Sequence, residues 1–149
     1  MIVSLQNLLK IGQLAEHVAD KKQISKMLAA AERYLVDARQ ETVSCETRLG
    51  AAYQAITQYS MVALSANGYR PSKNTPGHHQ TMIQSLIHSV GLDRDQMLLL
   101  DTFRVKRNAI AYTGDDVDED SVPACITAAE QLRTCVTDWV SSNAPGLIA

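Results

Sequence analysis

Apolar residues recur three or four positions apart along several long stretches of this 149-residue chain. This spacing places apolar side chains on one face of an α-helix, whereas a half-buried strand alternates every two residues. The clearest stretches are residues 24–38, 49–63, 97–112 and 125–140. Aromatic residues make up only 5% of the chain, which also favours helix over sheet. The sequence therefore predicts an all-α fold, an antiparallel up-down bundle of five to six helices.

Residues that commonly begin or end helices punctuate these stretches. Asp20, Asp93 and Ser121 stand where N-terminal caps are expected, and Gly68 and Gly114 stand where left-handed C-terminal caps are expected. We expect a single domain over residues 1–149, with a core of about 20–141. Residues 1–17 are predicted to form a short packing helix or an arm on a partner, 68–77 an irregular connection, and 142–149 a flexible tail.

The composition limits which binding partners and which cellular compartment we expect for this protein. The formal net charge of −2 gives no general attraction for nucleic acid, so RNA binding would need a local basic patch. Three cysteines without a Cys-x-x-Cys pattern indicate reduced thiols and a cytoplasmic protein. No apolar run approaches the ~20 residues of a membrane span, so we expect no membrane partner. We predict no metal and no cofactor, because the histidine and cysteine spacings match no known site pattern.

The stretch 97–112 carries the most informative polar residues. Arg104, Asn108 and Tyr112 follow one another at four-residue spacing and share a helix face, while Arg107 borders the apolar stripe. A guanidinium fork suits phosphate, and a tyrosine ring can stack on a base. The pattern predicts a phosphate or nucleotide contact face. The alternative is that Arg107 pairs with a core-facing acid and Asn108 bonds to the backbone of a neighbouring loop.

Two neighbouring segments add candidate ligand-binding residues. Tyr69 and Arg70 lie in the predicted irregular connection, and His78 and His79 begin the helix that follows it. Adjacent histidines on a helix point ~100° apart and do not easily hold one metal. The acidic run at residues 115–120 is interpreted as a solvated loop whose charge favours the start of the last helix.

In this order and spacing, four short motifs resemble the HEPN family, small α-helical domains of prokaryotic toxin, defence and stress modules. The motifs are Ala52-Tyr53-Gln54-Ala55, Gly68-Tyr69-Arg70-Pro71, Gly77-His78-His79 and Arg107-Asn108-x-x-x-Tyr112. The resemblance covers about residues 28–139. It implies an antiparallel bundle, commonly dimeric. The catalytic members of the family are metal-independent ribonucleases with an Arg-x(4–6)-His motif on a late helix.

Carried over onto this sequence, the resemblance assigns Arg107 to the scissile phosphate and Asn108 to the polar position after it. Tyr112 falls where the family has its histidine. A phenol, with a pKa of ~10, exchanges protons poorly near neutrality compared with an imidazole at ~6.5. The resemblance therefore implies the fold and the groove more strongly than the cleavage.

The predicted function is a HEPN-like module that binds RNA, a nucleotide or a protein partner and carries a degenerate ribonuclease motif. One alternative is a metal-independent endoribonuclease that uses Arg107 with Tyr112 or with a distant histidine such as His78 or His79. Another is a structural or regulatory dimeric helical protein. The expected partners are a second copy in a homodimer, RNA or a nucleotide, and a cognate antitoxin or nucleotidyltransferase protein.

Overall fold

The computed structural model describes residues 4–73 and 76–148, and helices make up most of it. In chain order its elements are α1 (Leu5–Lys10), β1 (Leu14–Glu16), α2 (Lys21–Ala38), α3 (Cys45–Ala66), β2 (Tyr69–Pro71), α4 (His78–Gln84), α5 (Leu86–Ser89), α6 (Arg94–Thr113), α7 (Ser121–Asn143) and a 3-10 turn (Pro145–Leu147). The predicted all-α class is confirmed. Seven α-helices rather than five or six occur among these residues, because α1 is separate and a break at Ser85 divides α4 from α5. No helix in these two ranges is long and apolar enough to cross a bilayer.

Most helix ends follow from local chemistry. The Asp20 carboxylate accepts a hydrogen bond from the amide of Lys22, and the Asp93 carboxylate caps α6 in the same way. Gly68 and Gly114 adopt positive φ angles of 89° and 70° after α3 and α6, as their predicted roles require.

The prediction for Ser121 was wrong. It is the first residue of α7, preceded by Asp120 without a side-chain cap, and its hydroxyl donates to Asp118.

The core is organised around α3. Helix α2 returns against α3 in the opposite direction, and the Arg48 Nε donates to the carbonyl of Ala38 (2.8 Å), where the two helices are joined. Helices α6 and α7 pack on other sides of α3. Because α3 is enclosed by several helices, its tyrosines Tyr53 and Tyr59 are fully buried.

A small sheet ties the N-terminal segment to the connection after α3. Strands β1 and β2 pair antiparallel, with Leu14 opposite Pro71 and Glu16 opposite Tyr69. The prediction of an irregular segment at 68–77 was therefore wrong for β2. Proline is tolerated in an edge strand of a two-stranded sheet, where its missing amide costs no ladder bond. The N-terminal helix is shorter than predicted, since α1 ends before Gly12; residues 1–3 of that prediction lie outside the described part.

The C-terminal segment also packs more than predicted. Beyond α7 the chain makes a 3-10 turn, and Leu147 and Ile148 lie half-buried against the main core. These two apolar side chains explain the difference, because burying them favours a defined path over a free tail.

Candidate functional site

Polar side chains from three helices meet where α4 and α6 lie against α3. We call this group the Tyr53 cluster; its members are Tyr53 of α3, His78 and His79 of α4, and Asp101, Arg104 and Arg107 of α6. Each helix contributes for a local reason: α3 is buried on this side, α4 begins here, and α6 presents two arginines beside its apolar stripe.

Tyr53 lies at the centre of the cluster. Its side chain is fully buried, and its hydroxyl lies 3.4 Å from the Nδ1 of His79. The two rings are tilted by 47° with centroids 6.0 Å apart. Burial raises the pKa of the Tyr53 phenol to about 12, although the nearby guanidinium groups of Arg104 and Arg107 oppose the shift. The phenol is therefore neutral at physiological pH and keeps its proton for hydrogen bonding.

Arg107 lies over the face of the Tyr53 ring, with its Cζ 5.7 Å from the ring centroid. This is the geometry of a cation–π contact. The side chain is half-buried, and no carboxylate in residues 4–73 and 76–148 forms an ion pair with it. The alternative interpretation, in which Arg107 pairs with a core-facing acid, is therefore wrong for the described residues. Arg107 retains a full positive charge at the edge of the core.

Arg104 differs from Arg107 because it has a carboxylate partner on its own helix. Its Nε donates to Asp101 at 2.7 Å and its second terminal nitrogen donates to the other carboxylate oxygen at 3.3 Å. Both side chains are mostly shielded from solvent. The hydrogen bonds to Asp101 raise the pKa of Arg104 above its usual value, so the guanidinium stays charged in this pair. The pair contributes little net charge, and Arg107 gives the cluster its net positive character.

His79 is half-buried between Tyr53 and the two arginines. Burial lowers the pKa of its imidazole below 6.5, and the positive charges of His78, Arg107 and Arg104 lower it further. The imidazole is therefore neutral at pH 7, and it can accept or donate a proton at its two nitrogens. The exposed His78 lies edge-on to His79, with ring centroids 5.4 Å apart.

The structure brings some of the predicted site residues together and separates others. Arg104, Arg107, His78 and His79 belong to the Tyr53 cluster. Asn108 and Tyr112 face solvent, and Tyr112 is 92% exposed. The predicted shared face of α6 is thus divided, because only the side of α6 next to α4 reaches the cluster.

Tyr69 and Arg70, also predicted to bind ligand, lie on β2. Arg70 is half-buried and its terminal nitrogen donates to the carbonyl of Pro71 at 3.3 Å. Antiparallel pairing holds Arg70 opposite Ala15. These two residues therefore serve the small sheet, and no contact joins them to Arg104 or Arg107 in the described part of the chain.

Lys106, another cation of α6, points to the opposite flank of the helix. Its Nζ lies 3.0 Å from the Asp118 carboxylate and also donates to the Ser121 hydroxyl. Hydrogen bonds from Ser121 and Lys106 lower the pKa of Asp118. Part of the acidic run at 115–120 is thereby held against the side of α6 that faces α7.

Two residues of the cluster, Tyr53 and Asp101, were not among the sequence-predicted site residues. A tyrosine on the apolar stripe of an alanine-rich helix is a usable signal, because a buried phenol needs a hydrogen-bond partner. Asp101 precedes Arg104 by three residues, which is the spacing of a helical ion pair. The contact between His79 and Tyr53 could not be predicted in this way, because it depends on how α4 packs against α3 in the tertiary fold.

No group of three or more histidine, cysteine, aspartate or glutamate side chains is placed to hold a metal ion within residues 4–73 and 76–148. The chain matches no family model, no curated protein and no solved structure. The resemblance to HEPN domains therefore stays a prediction. Any function has to be inferred from the Tyr53 cluster itself.

Proposed function

We propose that this chain is a HEPN-like helical module that binds the phosphate of a nucleotide or of a short RNA segment at the Tyr53 cluster. The observation that carries the proposal is the state of Arg107: a half-buried guanidinium without a carboxylate partner in the described residues, lying on the Tyr53 ring. A partly desolvated cation attracts an anion more strongly than an exposed one does. Arginine also matches the geometry of phosphate oxygens with two parallel donors.

The neighbours of Arg107 suit a phosphate as well. The neutral imidazole of His79 can donate an N–H without adding a charge, and the Arg104–Asp101 pair fixes a second guanidinium nearby. A hydrogen-bond donor beside a fixed cation is a common arrangement around bound phosphate oxygens.

The charge distribution favours a small or short ligand over a long polyanion. The acidic run at 115–120 follows α6 directly, and most of its side chains are exposed. A long phosphate backbone that continued past the end of α6 would approach these carboxylates and be repelled. A nucleotide or a strand of a few nucleotides avoids that contact.

Binding can be tested by titrating the protein into a short fluorescein-labelled single-stranded RNA and into a labelled nucleotide, with anisotropy as the readout. Arg107→Ala is expected to weaken binding about tenfold to a hundredfold, the usual effect of losing a charged hydrogen-bond donor. Arg94→Ala is the matched control, since Arg94 is an exposed arginine at the start of the same helix. The proposal fails if the native protein binds neither probe, or if both variants lose affinity equally.

A second candidate function is metal-independent cleavage of RNA, and the placement of His79 is what favours it. The sequence places a tyrosine at the motif histidine position, yet Tyr53 brings His79 and Arg107 to the same cluster. A neutral imidazole can take the proton of a ribose 2′-hydroxyl, so that the 2′ oxygen bonds to phosphorus and the 5′ oxygen leaves with a proton from water or from His78. Arg107 would stabilise the charge that develops on the phosphate.

Cleavage is separable from binding by the chemistry of the substrate. We expect a cleaving enzyme to work in the presence of a metal chelator and to spare an RNA whose 2′-hydroxyl is replaced by hydrogen. His79→Ala should then abolish cleavage but retain most binding, whereas Arg107→Ala should reduce both. If the native protein leaves RNA intact but binds it, the binding function stands and the cleavage function is rejected.

A further inference from the structure

A cleft of about 500 Å³ lies between α1, with the residues that follow it, and helices α4 and α5. This volume is within the range of small-molecule sites. Leu8 and Ile11 line one side of the cleft, whereas Thr81 and Gln84 line the other. Thr81 is two residues from His79 on α4, so the two side chains point roughly 200° apart. The cleft and the Tyr53 cluster therefore lie on opposite sides of α4.

The cleft has a buried floor and an exposed mouth. Ser85 and Met97, which are 1% and 8% exposed, lie at the floor. Ile11, Gln80 and Gln84 are exposed and stand at the mouth. A ligand that reaches the floor is shielded from water, and this shielding strengthens each hydrogen bond that it makes.

A hydrogen bond connects the two sides of the cleft. The Thr81 hydroxyl donates to the side-chain carbonyl of Gln13 at 2.9 Å, although the two residues are far apart in the sequence. The backbone of Gln13 is also held, because its amide donates to the carbonyl of Leu8 and its carbonyl accepts from the amide of Ser72. The cleft is therefore formed before a ligand arrives, and little ordering of the chain opposes binding.

The lining of the cleft carries no fixed charge. None of the described residues that line it is an aspartate, a glutamate, a lysine or an arginine, and His88 alone among them can take up a charge. A charged ligand would lose its water here without meeting an opposite charge, which is unfavourable. The cleft therefore favours an uncharged ligand, in contrast to the Tyr53 cluster with the cation of Arg107.

The polar side chains of the lining are mainly carboxamides, those of Gln13, Gln80 and Gln84. A carboxamide presents an N–H donor beside a carbonyl acceptor, so it pairs with another amide edge through two hydrogen bonds. The side-chain amides of Gln80 and Gln84 form no hydrogen bond within residues 4–73 and 76–148. Because the carbonyl of Gln13 accepts from Thr81, its NH₂ group is the part that remains for a ligand.

We propose that this cleft binds a small, uncharged aromatic ligand that carries an amide edge. The apolar side chains of Leu8, Ile11 and Met97 suit a flat ring, and a methionine thioether makes favourable contacts with aromatic rings. The amide edge of the ligand pairs with the glutamines at the mouth. Aromatic carboxamides such as nicotinamide and free pyrimidine bases such as uracil share this chemistry. The inference does not depend on phosphate binding at the Tyr53 cluster.

Three probes of similar size test the ligand class, with amide resonances of the ¹⁵N-labelled protein as the readout. Nicotinamide or uracil should bind with a Kd of about 0.1–1 mM, as expected for a ligand of this size. The side-chain NH₂ resonances of Gln80 and Gln84 should shift during the titration. Nicotinate replaces the carboxamide of nicotinamide by a carboxylate and should bind at least about tenfold more weakly. The tighter of nicotinamide and uracil distinguishes a carboxamide ligand from a base.

A matched pair of glutamines tests the position of the site. Gln84 and Gln131 are both exposed on helices, but only Gln84 lines the cleft. Gln84→Ala should weaken binding of the tighter probe about threefold to tenfold, whereas Gln131→Ala should leave it unchanged. Thr81→Val removes the hydroxyl that holds Gln13 and should also weaken binding.

Three results would overturn the proposal. The first is that neither nicotinamide nor uracil binds the native protein at concentrations up to about 10 mM. The second is that nicotinate binds as tightly as nicotinamide. The third is that Gln84→Ala and Gln131→Ala have the same affinity for the probe. Phosphate binding is measured separately with labelled RNA and Arg107→Ala, so either proposal can fail while the other stands.

Discussion

The guanidinium carbon of Arg107 lies 5.7 Å from the centroid of the Tyr53 ring, and the hydroxyl of the same tyrosine lies 3.4 Å from His79. One buried side chain therefore supports both a cation and a titratable base. The ring and the hydroxyl make different contacts, so substitutions can separate their effects.

Tyr53→Phe keeps the ring and removes only the hydroxyl. Because the lost contact is long, we expect the free energy of unfolding to fall by about 1 kcal/mol or less. Tyr53→Ala also removes a fully buried ring and should cost about 3–5 kcal/mol. Urea denaturation followed by circular dichroism measures both. Equal losses for the two variants would contradict the central position of the ring.

The lowered pKa of His79 predicts a dependence of stability on pH. The unfolded chain binds a proton near pH 6.5, whereas the folded imidazole resists it, so stability should fall as the pH drops below about 6.5. His79→Gln should flatten this part of the profile, and His88→Gln serves as the control. Histidine resonances followed by NMR against pH give the pKa directly. A His79 resonance that titrates above 6.5 would be inconsistent with burial as the dominant cause.

Asp101→Asn is expected to strengthen phosphate binding. Asp101 neutralises Arg104 through two hydrogen bonds, so the amide would leave a second uncompensated guanidinium beside Arg107. In a partly shielded site one removed negative charge should increase affinity about threefold to tenfold. Anisotropy titrations at two salt concentrations measure the gain, which should shrink as salt rises. An unchanged affinity would place the ligand away from Arg104.

Glu32 joins three helices, and its loss should destabilise the fold. Its Oε1 accepts from the Tyr59 hydroxyl at 2.9 Å and from Arg133 at 2.8 Å. The hydrogen bond from Arg133 is the main cause that lowers the pKa of Glu32, so this stabilisation is present above pH 4.5 and is lost as the pH falls below it. Because the carboxylate is half exposed, Glu32→Gln should cost only about 0.5–1 kcal/mol at pH 7. Asp37→Asn, an exposed acid on the same helix, should cost less in the same urea experiment.

Tyr112→Ser should leave phosphate affinity within about twofold of the native value, because the side chain faces away from the Tyr53 cluster. The same anisotropy assay measures it. A large loss of affinity would return Tyr112 to the ligand site and would favour the role that its motif position implies.

Local features of the sequence predicted much of the helical framework. The caps at Asp20 and Asp93 and the left-handed glycines at Gly68 and Gly114 depend on neighbouring residues, and each lies where the sequence placed it. The pairing of Ala15 with Arg70 could not be predicted in this way, because two short segments far apart in the sequence meet only after the helices have packed.

Local features of the sequence also predicted part of the candidate site. The position of Arg107 beside an apolar stripe indicated a cation at the edge of the core, and the structure has it there. The contact between His79 and Tyr53 depends on how α4 packs against α3. The periodicity within one helix carries no information about that packing. The outward direction of Tyr112 depends on which side of α6 is left uncovered.

The acidic run at 115–120 lies at one flank of α6, where Lys106 holds Asp118, while Arg107, which has no carboxylate partner in the described residues, lies at the other flank. The helix thereby separates a negative region from a positive one, although the whole chain carries a formal charge of only −2. An anion approaching from solvent is repelled on one side of α6 and attracted on the other. This difference in charge across α6 orients a charged ligand before any contact is made. A ligand whose two ends differ in charge is therefore turned with its more negative end toward the positive flank.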